Sequence, residues 1–234
     1  MLLWVKYWYC CIILLGIGIS VIFASALGVL FVAGVPNRQF FVVFLIGLLG
    51  IALLIAYVPW RWERIISFID PWSDPWGSGY QLTLSLMSIG RGDWFGVGLG
   101  QGLMKMGYLP DAHTDFIFSV IVEELGILGG LAVISLLFGL SFRIFFIGRE
   151  SLARKNFFGF YFSYGVALLL GLHTFINVGV ACGLLPTKGL TLPLISAGGT
   201  NLIIVCLMIG LILRIDYENK ISMPIPVIKR RAKL

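Results

Sequence analysis

Long apolar runs, interrupted once by an extended polar stretch, are the feature that most constrains how this chain can fold. Of its 234 residues, 59% are hydrophobic and only 12% are charged. A soluble domain carries about 25% charged residues. A run of about 20 apolar residues is long enough to cross a bilayer as a helix. The sequence therefore predicts an all-α integral membrane protein.

Five apolar runs have the length of a membrane span. They lie at about residues 9–33, 40–58, 116–142, 157–182 and 194–213. A long polar connection separates the second run from the third. We therefore expect four parts: two transmembrane helices in residues 1–58, a large loop in 59–115, three transmembrane helices in 116–213 and a tail in 214–234.

Lysine and arginine residues indicate which side of the membrane each connection occupies. The connection after the third span and the C-terminal tail are both rich in them, and basic connections of this kind face the cytoplasm. The loop at 59–115, with six acidic and four basic residues, is then extracytoplasmic. Its five tryptophans suit a membrane–water interface. The net charge of +6 follows these flanks and does not indicate a nucleic-acid partner.

The polar interruption between Gly77 and Gly126 is the place where chemistry is expected. Apolar and polar residues mix at 80–89, which predicts a short interfacial helix. The following run at 90–100 contains five glycines, which allow tight turns and close approach to a ligand. This run is equally compatible with a flexible loop and with a ligand-binding loop.

Acidic residues at the beginning of the third span are the strongest candidates for function. A carboxylate at membrane depth costs several kcal/mol, so it usually has a task or a partner. Asp115 has two interpretations. Its negative charge either interacts favourably with the dipole at the helix N-terminus, or it serves as a general base at a membrane-surface cavity. Glu123 lies eight residues on, about 12 Å along a helix, so the two are not a close pair. Glu123 and Glu124 are each compatible with a structural acid or a cavity residue.

Three further residues have two interpretations each. Lys188, in the outer connection between the last two spans, either reaches lipid phosphates or binds a phosphorylated lipid substrate. Ser196, among small residues that open the fifth span, favours either close helix packing or a broken helix at a cavity. His113 is expected at the surface or beside the site. The two distant histidines and the four cysteines without metal spacing give no histidine or cysteine metal signature, and the metal stays unknown.

Six segments in a fixed order resemble a known family. They are DPWSDP at 70–75, GSGYQLT at 77–83, GVGLG at 96–100, YLPDAHTDF at 108–116, EELG at 123–126 and PTKGLTLPLIS at 186–196. Together they resemble the SEDS family (shape, elongation, division and sporulation), and the sequences of these segments are most similar to its cell-division branch. The resemblance covers about residues 24–218. It implies a fold of ten transmembrane helices, of which this chain carries the last five, with the first half absent.

The resemblance also implies an activity. Family members polymerise lipid II, the undecaprenyl-pyrophosphate-linked disaccharide precursor of peptidoglycan. Asp115 matches the family's essential acid. It would take the proton from the 4-hydroxyl of the acceptor sugar, which then attacks the anomeric carbon of the donor with inversion. One base and no carboxylate nucleophile are then needed.

Substrate contacts, cofactors and partners follow from the same resemblance. Lys188 is expected to stabilise the leaving pyrophosphate, with Arg91 or a divalent cation such as Mg or Mn. The other expected substrate-binding residues are His113, Thr114, Glu123 and Ser196. A class B penicillin-binding transpeptidase and other division proteins are the expected partners, at the septum of the bacterial cytoplasmic membrane. Two alternatives stay open, a lipid II flippase and a non-catalytic division scaffold.

Overall fold

Helices are the only regular elements in the part of the chain that the structure describes. This computed structural model describes residues 22–34, 36–56, 67–187 and 189–221. The helices are α1 (Ile22–Val32), α2 (Asn37–Ala56), α3 (Tyr80–Gly92), α4 (Ile117–Ala153), α5 (Phe157–Ala181) and α6 (Gly199–Ile221), with a 3-10 turn at Met104–Met106. The all-α prediction is confirmed for these ranges. Lys188 and two of the loop tryptophans, Trp60 and Trp62, lie outside them.

Three of the described helices, α4, α5 and α6, are long and apolar enough to cross a membrane. Shorter apolar helical stretches cover Ile22–Val32 and Arg38–Gly47. A helical membrane protein is therefore confirmed. The number of five spans stays a prediction, because the first two predicted spans fall partly outside the described residues.

Two of these helices continue beyond their predicted ends. Helix α4 reaches Ala153 and α6 reaches Ile221, so part of the predicted polar tail is helical. Ion pairs one turn apart lie on these extensions: Glu150–Arg154 at 3.0 Å and Arg214–Glu218 at 2.9 Å. Pairs at this spacing stabilise a helix by about 0.2–0.5 kcal/mol each. The helices therefore extend past the ends of the apolar runs from which the spans were predicted.

The interior is built around a helical hairpin of α4 and α5. Asn156 is the N-cap of α5, and its side chain accepts a hydrogen bond from the Gly159 amide at 3.0 Å. This bond satisfies one of the unpaired amides in the first helical turn. A buried apolar cluster joins the hairpin to α6, and its members are Ile144, Ile147, Val166, Ala167, Leu170, Val205, Ile212 and Ile215.

Helix α3 forms where a short helix was expected, and one of its faces is buried in the protein. The hydroxyl of Ser85 lies 2.6 Å from that of Ser119 and donates to the Ala181 carbonyl at 2.8 Å. Ser88 donates to the Ser119 carbonyl at 3.1 Å. Small side chains let helices approach closely. Helix α3 is thereby fixed to the beginning of α4 and to the end of α5.

A break in α4 receives a loop of the polar segment. Gly126 has φ 75° and ψ −178°, a non-helical conformation inside α4. Four backbone hydrogen bonds join residues 93–98 to the two sides of the break: Val97 N to Glu123 O (2.9 Å), Gly98 N to Glu124 O (3.1 Å), Ile127 N to Asp93 O (2.9 Å) and Leu128 N to Trp94 O (3.4 Å). The loop thus pairs backbone groups that the break removes from the helical ladder.

Glycine is required where this loop meets the helix. A Cβ atom on Gly126 would collide with the Trp94 carbonyl, and one on Gly96 would collide with the Glu124 carbonyl. Gly126 and Gly96 also have positive φ angles of 75° and 78°. Glycine adopts such angles without the steric cost that a Cβ brings. Residues 93–98 of the glycine-rich run are therefore an inserted loop with a defined conformation, whereas residues 90–92 are the end of α3.

Replacing Gly126 with alanine should destabilise the protein. The strained φ and the collision with the Trp94 carbonyl together predict a loss of about 2 kcal/mol or more in the free energy of unfolding. Gly139→Ala is the matched control, because Gly139 lies in the same helix and a Cβ atom there would meet no other atom within 4 Å. Alanine there should be neutral or stabilising by up to about 1 kcal/mol. Thermal unfolding in detergent measures both; equal midpoints would show that the break is not rigid.

Candidate active site at the beginning of α4

Glu123 is fully buried and holds the loop that precedes α4. Its carboxylate accepts four hydrogen bonds, from Leu103 N (3.0 Å), Met104 N (3.3 Å), Ser88 Oγ (3.4 Å) and Arg91 Nη1 (3.2 Å). A buried charge is costly unless it is paired and hydrogen-bonded. These partners account for an acidic side chain in the interior.

The next residue, Glu124, binds the same loop through its own carboxylate. It accepts hydrogen bonds from Lys105 Nζ at 2.6 Å and from the Gly100 amide at 3.1 Å. Charge-assisted hydrogen bonds of this kind are about twice as strong as neutral ones. The two consecutive glutamates therefore hold residues 100–105 against the first part of α4.

A tight turn before α4 carries Asp115. Asp111 adopts a left-handed φ of 55°. Its carbonyl accepts hydrogen bonds from three amides of the turn: Thr114 (3.1 Å), Asp115 (3.1 Å) and Phe116 (3.3 Å). Aspartate tolerates this backbone region better than most residues. The turn is therefore closed upon a single carbonyl group.

Apolar side chains anchor this turn while its polar side chains remain accessible. Leu109, Ala112 and Phe116 are buried in a cluster with residues of α4 and α5. His113 is exposed, and Thr114 and Asp115 are partly exposed. The alternation places the polar residues of the turn toward the outside of the fold.

Three successive carbonyl groups of the turn accept hydrogen bonds from other segments. The donors are the Ala197 amide to His113 O (2.9 Å), Ser196 Oγ to Thr114 O (2.6 Å) and Asn177 Nδ2 to Asp115 O (2.9 Å). The first two donors precede α6 and the third lies in α5. The backbone that carries Asp115 is thus fixed at three consecutive positions.

The carboxylate of Asp115 lies beside Gly189. A Cβ atom on Gly189 would be 3.0 Å from Asp115 Oδ2 and 3.7 Å from its Cγ. The segment after residue 188 is fixed by two of the same side chains: Ser196 Oγ accepts from Leu192 N at 2.7 Å, and Asn177 Nδ2 donates to Leu190 O at 2.5 Å. A partly exposed acid therefore stands at the junction of three segments.

The predicted site residues fall into two groups in the structure. Asp115, His113, Thr114 and Ser196 come together at the turn, and the Ser196 hydroxyl is bonded to protein backbone. Arg91 and Glu123 lie in the second group, around the loop at 100–105. Substrate binding by any of these residues stays a prediction. Lys188 lies outside the described residues.

Asn177 is a residue of this site that the sequence interpretation missed. It is 1% exposed in a mainly apolar helix, which also carries Ser163, His173 and Thr174, and it links the turn to the segment before α6. A polar side chain inside an apolar span was the available signal, because such residues are rare and usually have a partner.

The described side chains do not fit a metal site held by protein ligands. No group of three or more His, Cys, Asp or Glu residues that could hold an ion occurs within the described ranges. Mg²⁺ and similar hard cations need several oxygen ligands in near-octahedral geometry. The expected divalent cation therefore stays a prediction, and no chemical step below passes through one.

Fold and site together define an all-helical membrane protein with a partly exposed acid fixed at the mouth of one long helix. The family model of the FtsW/RodA/SpoVE cell cycle proteins matches residues 2–221. The chain belongs to this family, as the sequence resemblance implied.

Curated relatives and a solved structure support the same family. A probable peptidoglycan glycosyltransferase FtsW of Nitrosococcus halophilus (strain Nc4) is 47% identical over 214 residues, which are 92% of this chain and 54% of that protein. One from Buchnera aphidicola subsp. Baizongia pistaciae (strain Bp) is 51% identical over 202 residues, 86% of this chain and 53% of that protein.

The solved structure is described as "Structural coordination of polymerization and crosslinking by a peptidoglycan synthase complex". It matches with a TM-score of 0.59 and 32% sequence identity, over 82% of this chain and 52% of the other. The chain spans about half the length of the relatives that it matches.

Glu123→Gln should release the loop at 100–105. The glutamine amide nitrogen cannot accept a hydrogen bond, so at least one donor of the buried set loses its partner, at a cost of about 2–4 kcal/mol. Tryptic cleavage after Lys105 should then become faster. Glu218→Gln is the control, since the Glu218 side chain is 49% exposed and its pair with Arg214 contributes about 0–1 kcal/mol. Unchanged cleavage at Lys105 in the Glu123 variant would contradict this role.

Proposed function

We propose that this chain contributes the acceptor-activating site of a peptidoglycan glycosyltransferase that polymerises lipid II during septal cell-wall synthesis. The observation that carries the proposal is the Asp115 turn, whose carbonyls at 113–115 are all fixed while the Asp115 side chain stays partly exposed. The names of the relatives, probable peptidoglycan glycosyltransferases, support the substrate class.

The proposed step needs one base. The Asp115 carboxylate takes the proton of the 4-hydroxyl on the acceptor's N-acetylglucosamine. The freed oxygen forms a bond to the anomeric carbon of the donor's N-acetylmuramic acid, and the bond from that carbon to the pyrophosphate breaks with its electron pair. An α-linked pyrophosphate thereby becomes a β-1,4 glycosidic bond. A positioned base contributes about 10²- to 10⁴-fold to such a step.

Cationic groups are proposed to stabilise the departing pyrophosphate. Lys188 is one candidate by sequence. Arg91 is another: its side chain is 40% exposed although one guanidinium nitrogen bonds to Glu123. Arginine has five donors, so this bond leaves donors for phosphate oxygens.

Membrane placement and partners belong to the same proposal. We propose five spans with the 59–115 loop outside the cytoplasmic membrane, at the division septum of a bacterium. A class B penicillin-binding transpeptidase and other division proteins would act beside the chain. The description of the matching solved structure, which couples polymerization with crosslinking, supports a transpeptidase partner.

The direct test is chain growth on lipid II by Asp115→Asn. The chain is assayed joined behind the N-terminal half of the Nitrosococcus halophilus relative, with fluorescent lipid II and gel separation of glycan strands. The amide cannot take a proton, so synthesis should fall by about 10²- to 10⁴-fold. Asp111→Asn is the control, because the turn uses only the backbone carbonyl of Asp111 and asparagine also tolerates its left-handed φ.

Two outcomes would reject the proposed function. One is full glycan synthesis by a folded Asp115→Asn protein. The other is lipid II transport without any chain growth by the unmutated protein, which favours a flippase.

Gly189→Ala should impair catalysis with little loss of fold. The added methyl would stand 3.0 Å from Asp115 Oδ2, so the carboxylate must shift by a few tenths of an ångström. A misplacement of about 1 Å costs on the order of 100-fold in rate, so this smaller shift should lower kcat by about three- to tenfold. Gly210→Ala is the control, because no atom lies within 4 Å of a Cβ there. Wild-type kcat in the Gly189 variant would place the working carboxylate elsewhere.

A further inference from the structure

Asn177 is a buried polar residue whose contacts concern only backbone groups of the candidate site. It is 1% exposed. Its Nδ2 atom donates to Asp115 O at 2.9 Å and to Leu190 O at 2.5 Å. Both hydrogens of the side-chain amide are therefore used. One side chain joins the turn of Asp115 to the segment that begins beside Gly189.

The orientation of this amide follows from its neighbours. Both groups that face Nδ2 are carbonyl oxygens, which only accept hydrogen bonds. The opposite atom, Oδ1, is buried and has no hydrogen-bond partner among the described residues. Turning the amide over would set an oxygen against two carbonyl oxygens. The donor side of Asn177 is therefore directed at Asp115 and Leu190.

We propose that Asn177 is a positioning residue for the Asp115 carboxylate. The inference rests on the proposed function, in which that carboxylate is the base. Of the three donors that hold the turn, only Asn177 bonds to the peptide group of Asp115 itself. Its second bond fixes the backbone of Leu190. Leu190 directly follows Gly189, and the Asp115 carboxylate lies beside Gly189. Asn177 thus sets the distance between the base and the backbone beside it.

This arrangement predicts an effect on turnover and not on binding. Asn177 is enclosed and bonds to backbone, so its loss removes no direct substrate contact. It releases the Asp115 peptide, and a shift of about 1 Å in a reacting group costs on the order of 100-fold in rate. The expected signature is a fall in kcat with KM close to that of the unmutated protein.

Three substitutions change the number of side-chain hydrogen-bond donors at position 177. Asn177→Ala removes both donors, Asn177→Asp keeps the shape but presents oxygens to both carbonyls, and Asn177→Ser keeps one donor. In the lipid II assay of the joined chain, kcat should fall by about ten- to hundredfold in the alanine and aspartate variants, with KM within about threefold. The serine variant should lie between these and the unmutated protein. Thermal unfolding of each variant corrects kcat for the folded fraction.

Asn156→Asp is the matched control on the same helix. Asn156 caps the opposite end of α5, and aspartate is an equally good cap. It should retain unmutated kcat and KM, which excludes a general effect of an asparagine-to-aspartate change.

The outcomes separate this inference from the proposed function. If Asp115→Asn is inactive but the Asn177 variants keep unmutated kcat, the positioning role is wrong and the proposed function stands. If kcat corrected for folded protein does not follow the number of donors, or if none of the three variants folds, Asn177 is purely structural. If Asp115→Asn keeps its activity, the proposed function fails independently of Asn177.

Discussion

The insertion of a glycine loop into a broken helix is the interaction on which the rest of this structure depends. At Gly126 the backbone leaves the helical conformation, and residues 93–98 pair with the amides and carbonyls on both sides of the break. An apolar environment makes unpaired backbone groups costly, so a break in a long apolar helix persists only where other groups satisfy it. The loop does so, and it thereby ties the polar segment to the rigid part of α4.

The two glutamates before the break also attach the polar segment to α4, and they use their side chains differently from Asp115. Glu123 and Glu124 have their carboxylates occupied by loop amides, Arg91 and Lys105. For Asp115, the backbone carbonyl accepts a hydrogen bond from Asn177, and the side chain is partly exposed. An acid that is to exchange a proton must be accessible, whereas an acid that organises a loop must be saturated. This contrast agrees with the proposed role of Asp115 as the base, while the two glutamates organise the loop.

Sequence reasoning predicted the elements that depend on local composition and missed those that depend on tertiary partners. Apolar length predicted α4, α5 and α6, but two of these helices end at Ala153 and Ile221, in polar sequence beyond the apolar runs that carries ion pairs one turn apart. The glycines at 90–100 left a flexible loop and a ligand loop open, because residues 93–98 take their conformation from the break at Gly126, which is distant in sequence. The partners of Glu123 include backbone amides, which carry no residue signature. Asn177 was visible only as one of several polar residues in a mainly apolar span.

Hydrogen–deuterium exchange across the break tests the central claim most directly. Exchange of the Val97 and Gly98 amides is compared with that of amides inside α4 in the same protein, by mass spectrometry of short overlapping peptides. The two loop amides donate to the carbonyls of Glu123 and Glu124 and should exchange as slowly as the helix interior. Exchange as fast as that of exposed backbone would show that the loop does not occupy the break, and the attachment of the polar segment to α4 would then be absent.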